Sequence, residues 1–202
     1  MPLAAPSPPQ LPSARVVCER LAGVLDPLPT TPPVALGRLA AVLILLHDRD
    51  SVPHLVLTKR TDTLEHHPGQ VSLPGGRWEA LDGELGTTAL RETHEELGIP
   101  PEEIRLIGRL QDELTAVSGF VVAPFVGLAT APIEPSPSER EIARVLDVPL
   151  ATVLDADAAL PAVLDVRSLR YPLLGEDVWG ATARILHMFS ALVRRALGEP
   201  IG

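Results

Sequence analysis

Apolar positions along this chain follow two different spacings. Residues 13–25 carry Val16, Val17, Leu21 and Val24 at helical intervals, with Ser13 placed as an N-cap. Continuous apolar runs over 38–47 and 54–58 flank Asp48-Arg49-Asp50-Ser51, which predicts a hairpin of buried strands. Residues 61–83 are rich in glycine and proline and show little periodicity, so they predict a long loop. Helical spacing returns over 84–97 and stops at Gly98, in the C′ position, with Pro100 beyond. Strands are predicted over 104–111 and 120–129, a proline break over 132–137, and a strand or short helix over 141–148. An amphipathic helix is predicted over 178–197, with Trp179, Thr182, Ile185, Leu186, Phe189 and Val193 on one side. No internal repeat is visible. The interleaved elements predict a mixed α/β (α+β) fold.

Composition sharpens this picture. Of the 202 residues, 46% are hydrophobic, enough for one domain with a sizeable core. That domain is expected over 35–198. Before it come a tail with five prolines in the first twelve residues, the short helix, and a connector broken by Pro27, Pro29, Pro32 and Pro33. The net charge of −9 argues against nucleic acid as a partner, because a phosphate-backbone binder needs a basic face. Small anionic substrates stay open, since bound cations can reverse a local field. The lone cysteine, Cys18, has no intrachain partner, which points to core packing and a reducing cytoplasm. The longest apolar run, residues 39–46, falls far short of the ~18 apolar residues a membrane span needs, and the N-terminus lacks the pattern of a signal peptide. A homodimer is compatible with the sequence, which does not set the oligomeric state.

The chemistry is concentrated in the predicted helix over 84–97. Glu92, Glu95 and Glu96 are spaced i, i+3, i+4 and fall on one face. They repel one another, and they lie near a helix C-terminus, where the macrodipole disfavours anions. Both effects oppose a purely structural role. A hard divalent cation, Mg2+ or Mn2+, resolves the conflict by taking carboxylate oxygens and leaving positions for water and phosphate. The competing reading is a solvated acidic face with Arg91 paired to Glu95 one turn away. Upstream, Pro74-Gly75-Gly76 lets backbone approach a ligand closely, or simply makes a turn.

This segment resembles the Nudix box: a glycine, a glutamate, then Arg-Glu, an apolar residue, any residue, Glu-Glu, any residue, a glycine and an apolar residue. Gly76, Arg91, Glu92, Glu95, Glu96, Gly98 and Ile99 match it. Two positions depart. Thr93 stands at the apolar place after Arg-Glu. The first glutamate falls on Gly83 counted back from Arg91, and on Asp82 counted forward from Gly76. The loop is thus one residue longer, and Asp82 or Glu84 is the substitute. The resemblance implies a Nudix fold, a mixed sheet sandwiched between helices with the box as loop–helix–loop. It also implies metal-dependent hydrolysis of a nucleoside diphosphate linked to another moiety. Glu92 and Glu96 are the expected metal ligands. Glu95 is a further ligand or the base, Gly76 or Gly75 contributes backbone, and Arg91 orients the carboxylates.

A second motif narrows the expected substrate. Leu57-Thr58-Lys59-Arg60-Thr61 and then Gly69, followed by Leu73-Pro74-Gly75-Gly76-Arg77, resemble the signature that accompanies the box in coenzyme A pyrophosphatases. Val56, Thr61 and Leu73 are mild changes from that signature, and Glu65 reverses a charge where it carries arginine; His66, His67 and Arg77 are the candidates to offset that reversal. On this resemblance Thr58, Lys59, Arg60, Gly69 and Arg77 are candidate substrate contacts. Glu141, ahead of Val148-Pro149-Leu150, is a candidate outer ligand or base; a solvated strand-edge carboxylate is its other reading. The implied reaction is cleavage of coenzyme A to 4′-phosphopantetheine and 3′,5′-ADP. The same chemistry on ADP-sugars or oxidised nucleotides, or a non-catalytic nucleotide sensor, are the alternatives. An isomerase acting on a prenyl diphosphate ranks last, since the single cysteine lies far from the box. Zinc at His66-His67 is disfavoured because adjacent residues of an extended chain point to opposite faces.

Overall fold

The computed structural model describes residues 11–29, 37–64, 67–115, 119–161 and 165–198. Most of the proline-rich tail, Pro32 and Pro33 of the connector, Glu65 and His66 lie outside the described residues. The chain begins with α1 (Ala14–Leu21), shorter than its periodicity predicts. Ser13 holds the N-cap position but its hydroxyl does not cap. The first helical N–H donates instead to Asp48 Oδ1 at 2.7 Å.

Strands β1 (Arg38–Arg49) and β2 (Val52–Arg60) form the predicted hairpin. They extend further than the apolar runs and leave only Asp50 and Ser51 in the turn. Both turn residues have positive φ, 51° and 65°, the twist that two-residue hairpins require. Residues 61–83, predicted as loop, contain β3 (Val71–Ser72), β4 (Gly75–Arg77) and a 3₁₀ turn at Ala80–Asp82. Two- and three-residue strands are too short to display an alternation, and only pairing onto β2 and β1 makes them strands. The predicted helix is α2 (Leu85–Leu97), ended by Gly98 at φ 69°, whose N–H donates to the His94 carbonyl.

The remaining strands are β5 (Ile104–Arg109), β6 (Glu113–Leu114), β7 (Phe120–Ala129) and β8 (Ile142–Pro149), followed by α3 (Leu150–Ala158). Residues 141–148, ambiguous in sequence, are strand because they pair along β2. A small hairpin, β9 (Arg170–Leu173) and β10 (Glu176–Trp179), precedes α4 (Gly180–Leu197). The helix begins after Trp179, which ends β10 and is 44% exposed instead of joining the buried face. Thr182, Ile185, Leu186, Phe189 and Val193 are buried as their spacing predicts.

The central path of the sheet is β3-β2-β1-β7-β5, with β4 on β1, β6 on β7 and β8 on β2. The β1–β7 pair is parallel and the others are antiparallel, so the sheet is mixed. Two apolar clusters cover its faces. Leu85, Ala89 and Leu97 of α2 pack on Leu43, Leu45, Val56 and Phe125. The other face meets α1, α3, α4 and the small hairpin through Ile44, Leu55, Leu57, Tyr171 and Phe189. The expected sandwich of a mixed sheet between helices is what the chain adopts. Helix α1, which lies ahead of the expected domain start, is part of this core, with Val17, Cys18 and Leu21 fully buried. Burial also pushes the Cys18 thiol up to about 12, far from a reactive thiolate. Among the described residues no helix is long and apolar enough to cross a membrane.

Candidate active site

Alternation along β2 decides which side chains meet the acidic helix. Val56, Thr58 and Arg60 share the face covered by α2, while Leu55, Leu57 and Lys59 share the other. Arg60 Nη1 accordingly lies 3.8 Å from Glu96 Oε1. Lys59 turns away and pairs with Glu176 of β10 at 3.1 Å. Thr58 is fully buried, and its hydroxyl is held by Ser72. Gly69 occupies a tight turn at φ 66°, where a Cβ would lie 2.7 Å from Asp62 Oδ1.

The two glycines of β4 do different work. Gly75 donates its N–H to Glu96 Oε2 at 3.2 Å. Gly76 lies flat against Glu92, so that a Cβ there would stand 2.4 Å from the carboxyl carbon. Strand β4 is thereby the floor on which both carboxylates rest. Arg91 ties the loop to the helix. Its guanidinium donates to both oxygens of Asp82 at 2.8 and 3.1 Å, to Glu95 Oε2 at 3.1 Å and to the Arg77 carbonyl at 3.0 Å, and it pairs with Glu92 at 3.0 Å. The Arg77 side chain itself is exposed and makes none of these contacts.

Asp82, and not Glu84, receives Arg91. The 3₁₀ turn and Gly83 at φ 68° absorb the extra loop residue and bring Asp82 under the helix. There its carboxylate also accepts from the Thr88 hydroxyl and the Glu79 N–H. Arg91 holds Asp82 below its ordinary value. Thr93, at the box's apolar position, is buried and donates to the Ala89 carbonyl at 2.7 Å, which satisfies its hydroxyl within the helix.

Glu95 is 56% exposed and paired to Arg91, as a solvated face would have it. Glu92 and Glu96 are not solvated, with side chains 18% and 4% exposed. Glu141 sits just ahead of β8, exposed, its carbonyl accepting from the Thr61 N–H. Its charge reaches both buried carboxylates and raises them. Arg60, Gly75, Gly76, Asp82, Arg91, Glu92, Glu95, Glu96 and Glu141 thus converge, while Thr58, Lys59 and the Arg77 side chain do not join them. The Gly75 N–H donor to Glu96 and the Lys59–Glu176 pair were not foreseeable from spacing, since each joins segments distant in sequence.

A model of the NUDIX domain matches residues 37–163. The chain belongs to the Nudix family. Two relatives, each named as an uncharacterized Nudix hydrolase NudL, come from Pectobacterium atrosepticum and Enterobacter. The first is 37% identical over 80% of this chain and 86% of its own length. The second is 40% identical over 74% of this chain and 79% of its own. Among solved structures, a Nudix hydrolase from Alicyclobacillus acidocaldarius superposes with a TM-score of 0.51 at 21% identity, over 65% of this chain and 88% of that one. The MutT protein of Methanosarcina mazei Go1 gives 0.51 at 16%, over 84% and 96%. These two attest the fold alone.

Nudix hydrolases generally use divalent metals. Among the described residues, no three His, Cys, Asp or Glu side chains are gathered into a ready-made cage, and Arg91 pairs with both Glu92 and Glu95. The donor set nevertheless suits Mg2+ or Mn2+: it is all oxygen, and its two innermost carboxylates, Glu96 buried and Glu92 half-buried, have too little positive charge beside them. Burial, opposed by Gly75 and Arg60 and aided by Glu92 and Glu141, pushes Glu96 up to about 8. Burial likewise raises Glu92, against the pull of Arg91.

This has a consequence for stability in chelator. The unfolded chain releases the Glu96 proton near the ordinary 4.5, the folded Nudix domain only near 8. Between these limits the folded state binds more protons, so stability is lost as pH rises. Glu92 adds to the trend, and Asp82, shifted down, acts only in stronger acid. The melting temperature of metal-free protein is expected to fall from about pH 5 to about pH 8, a loss on the order of a few kcal/mol. Glu96→Gln should flatten the curve. A melting temperature that rises across the same range would contradict the burial of Glu96.

Proposed function

We propose that this Nudix hydrolase cleaves the pyrophosphate bond of coenzyme A to 4′-phosphopantetheine and 3′,5′-ADP, with Mg2+ or Mn2+ bound. One observation carries the reading. The residues of the upstream motif meet those of the box at a single place, with Arg60 3.8 Å from Glu96 and Gly75-Gly76 under Glu96 and Glu92.

Glu92 and Glu96, with the Gly76 backbone, would hold the cation, which when bound would neutralise the pyrophosphate oxygens and make the attacking water more acidic. Glu95 or Glu141 takes the proton from that water, both being exposed carboxylates at the mouth of the site. Arg91 keeps Glu92 and Glu95 aimed by bonding to both. Arg60 is the phosphate anchor. Its Nε is buried without a hydrogen-bond partner, and a charge-assisted bond to a phosphate oxygen would satisfy it. Gly69 shapes the turn that returns the chain beneath this arginine, through Arg60 N–H to the Gln70 carbonyl at 3.0 Å.

Incubation with coenzyme A and either metal, followed by mass spectrometry, should yield the two products named. ADP-ribose and nucleoside triphosphates run in parallel test the substrate. Turnover of those with coenzyme A left intact would reject this substrate. Ligand binding without turnover of any of them would favour a sensor.

A further inference from the structure

We propose that a pocket beneath residues 132–137, apart from the carboxylates, seats the uncharged arm of the substrate on the far side of its pyrophosphate. The identity of the arm as pantetheine rests on the coenzyme A reading above.

The cavity has a volume of about 760 Å³. Its walls are Val56, Val145, Ile133 and the prolines of 132–137, and its polar floor is His47, Arg49 and Asp147. It opens on the face of the sheet that α2 covers, since Val56 and Val145 belong to the α2-side cluster. The segment that roofs it is fastened to the acidic helix. The Ser136 N–H donates to the Leu97 carbonyl at 2.7 Å, and the Ser138 N–H donates to the Glu96 carbonyl at 3.0 Å. The same segment then delivers Glu141. Pocket and carboxylates therefore share one strut. Four residues of β2 separate Arg60 from Val56, which is ~13 Å at the rise of a strand. An extended chain leaving the pyrophosphate covers that span.

Charge selects which end of such a substrate enters. Asp50 and Asp147 line the pocket against a single guanidinium, Arg49, while Asp48 at the same rim turns its carboxylate to the first N–H of α1. Arg49 is itself committed to Asp147 Oδ2 at 3.0 Å. A phosphorylated adenosine is repelled there. A neutral chain bearing amides and methyl groups suits both the apolar wall and the polar floor of His47 and Asp147. His47, nine-tenths buried, is held by Asp147 Oδ1 at 2.9 Å and presents an ordered polar edge. No serine, threonine or cysteine lines the cavity, and no cluster of three metal-ligating side chains occurs among the described residues. The pocket binds; it does not add a second chemistry.

The test uses the full chain and two probes. By NMR, pantetheine at millimolar concentration should shift the methyl signals of Val56, Ile133 and Val145 and the His47 ring, whereas 3′,5′-ADP should not. In kinetics with metal, Val145→Trp and Ile133→Trp, each filling the cavity from a different wall, should raise KM for coenzyme A about tenfold with kcat nearly unchanged, the signature of lost uniform binding. Thermal melts exclude a variant that has unfolded. Pantetheine that shifts none of these signals overturns the proposal, as does an unchanged KM in both folded variants. Absence of coenzyme A hydrolysis by the unaltered protein defeats the substrate reading instead, and the pantetheine shifts still decide the pocket.

Discussion

Glu96→Gln is expected to lower turnover about a thousandfold, the several kcal/mol that a metal ligand commands at ~1.4 kcal/mol per decade. The fold should survive. Glutamine has the same shape, and its carbonyl oxygen can still accept the Gly75 N–H that now reaches Glu96 at 3.2 Å. Glutamine is neutral without taking up a proton, so it removes the cost of protonating the carboxyl that burial pushes up to about 8. In chelator at neutral pH the variant should therefore melt no lower than the unaltered protein. Steady-state kinetics with saturating Mg2+ or Mn2+, alongside a thermal melt, read both effects. A folded variant with near-normal kcat would remove Glu96 from the proposed metal site.

Gly75→Ala and Gly76→Ala should fail in opposite ways although the residues are adjacent. At Gly75 an added Cβ lands 2.3 Å from the Ala41 carbonyl oxygen and 2.6 Å from the Val42 Cα, at φ 146°. Those atoms are backbone of the neighbouring strand β1 and cannot yield without breaking the β1–β4 pairing. A loss of about 3 kcal/mol or more in denaturant unfolding is expected. At Gly76 the nearest atoms are the carboxylate end of Glu92, between 2.4 and 2.6 Å away. A side-chain end can swing aside. Gly76→Ala should stay folded and lose activity because Glu92 is displaced. Equal stability losses at the two positions would show that Glu92 is as rigidly held as the strand.

Much of this was legible in the residues themselves. The i, i+3, i+4 acidic stripe, the helix closed by Gly98 and the long strands β1, β2 and β7 each follow from local spacing, because side-chain direction repeats along one element. The resemblance to known motifs pointed to Arg60 and the Gly75-Gly76 pair. Local spacing failed where a structure is defined by its neighbour. Strands β3 and β4 exist only as partners of β2 and β1, and the hairpin of β9 and β10 turns on Leu174-Gly175, a weak sequence signal, at φ 50° and 81°. Helix α3 went unnoticed in an alanine- and aspartate-rich stretch, although its Asp157 takes hydrogen bonds from Tyr171 and His187 and so joins α3 to β9 and α4.

The choice among candidate site residues was likewise tertiary. Lys59 and Arg60 are neighbours of like charge, yet strand alternation sends one to Glu176 and the other to Glu96. Asp82 and Glu84 were equal substitutes on paper, until the 3₁₀ turn brought Asp82 to Arg91. By itself, then, the sequence determined the family, the kind of fold and the acidic helix, since these are written in short-range spacing and residue type. Only the folded chain decided which carboxylates are buried and which solvated, and which cations face them, because burial and charge pairing depend on segments far apart in sequence meeting across the sheet.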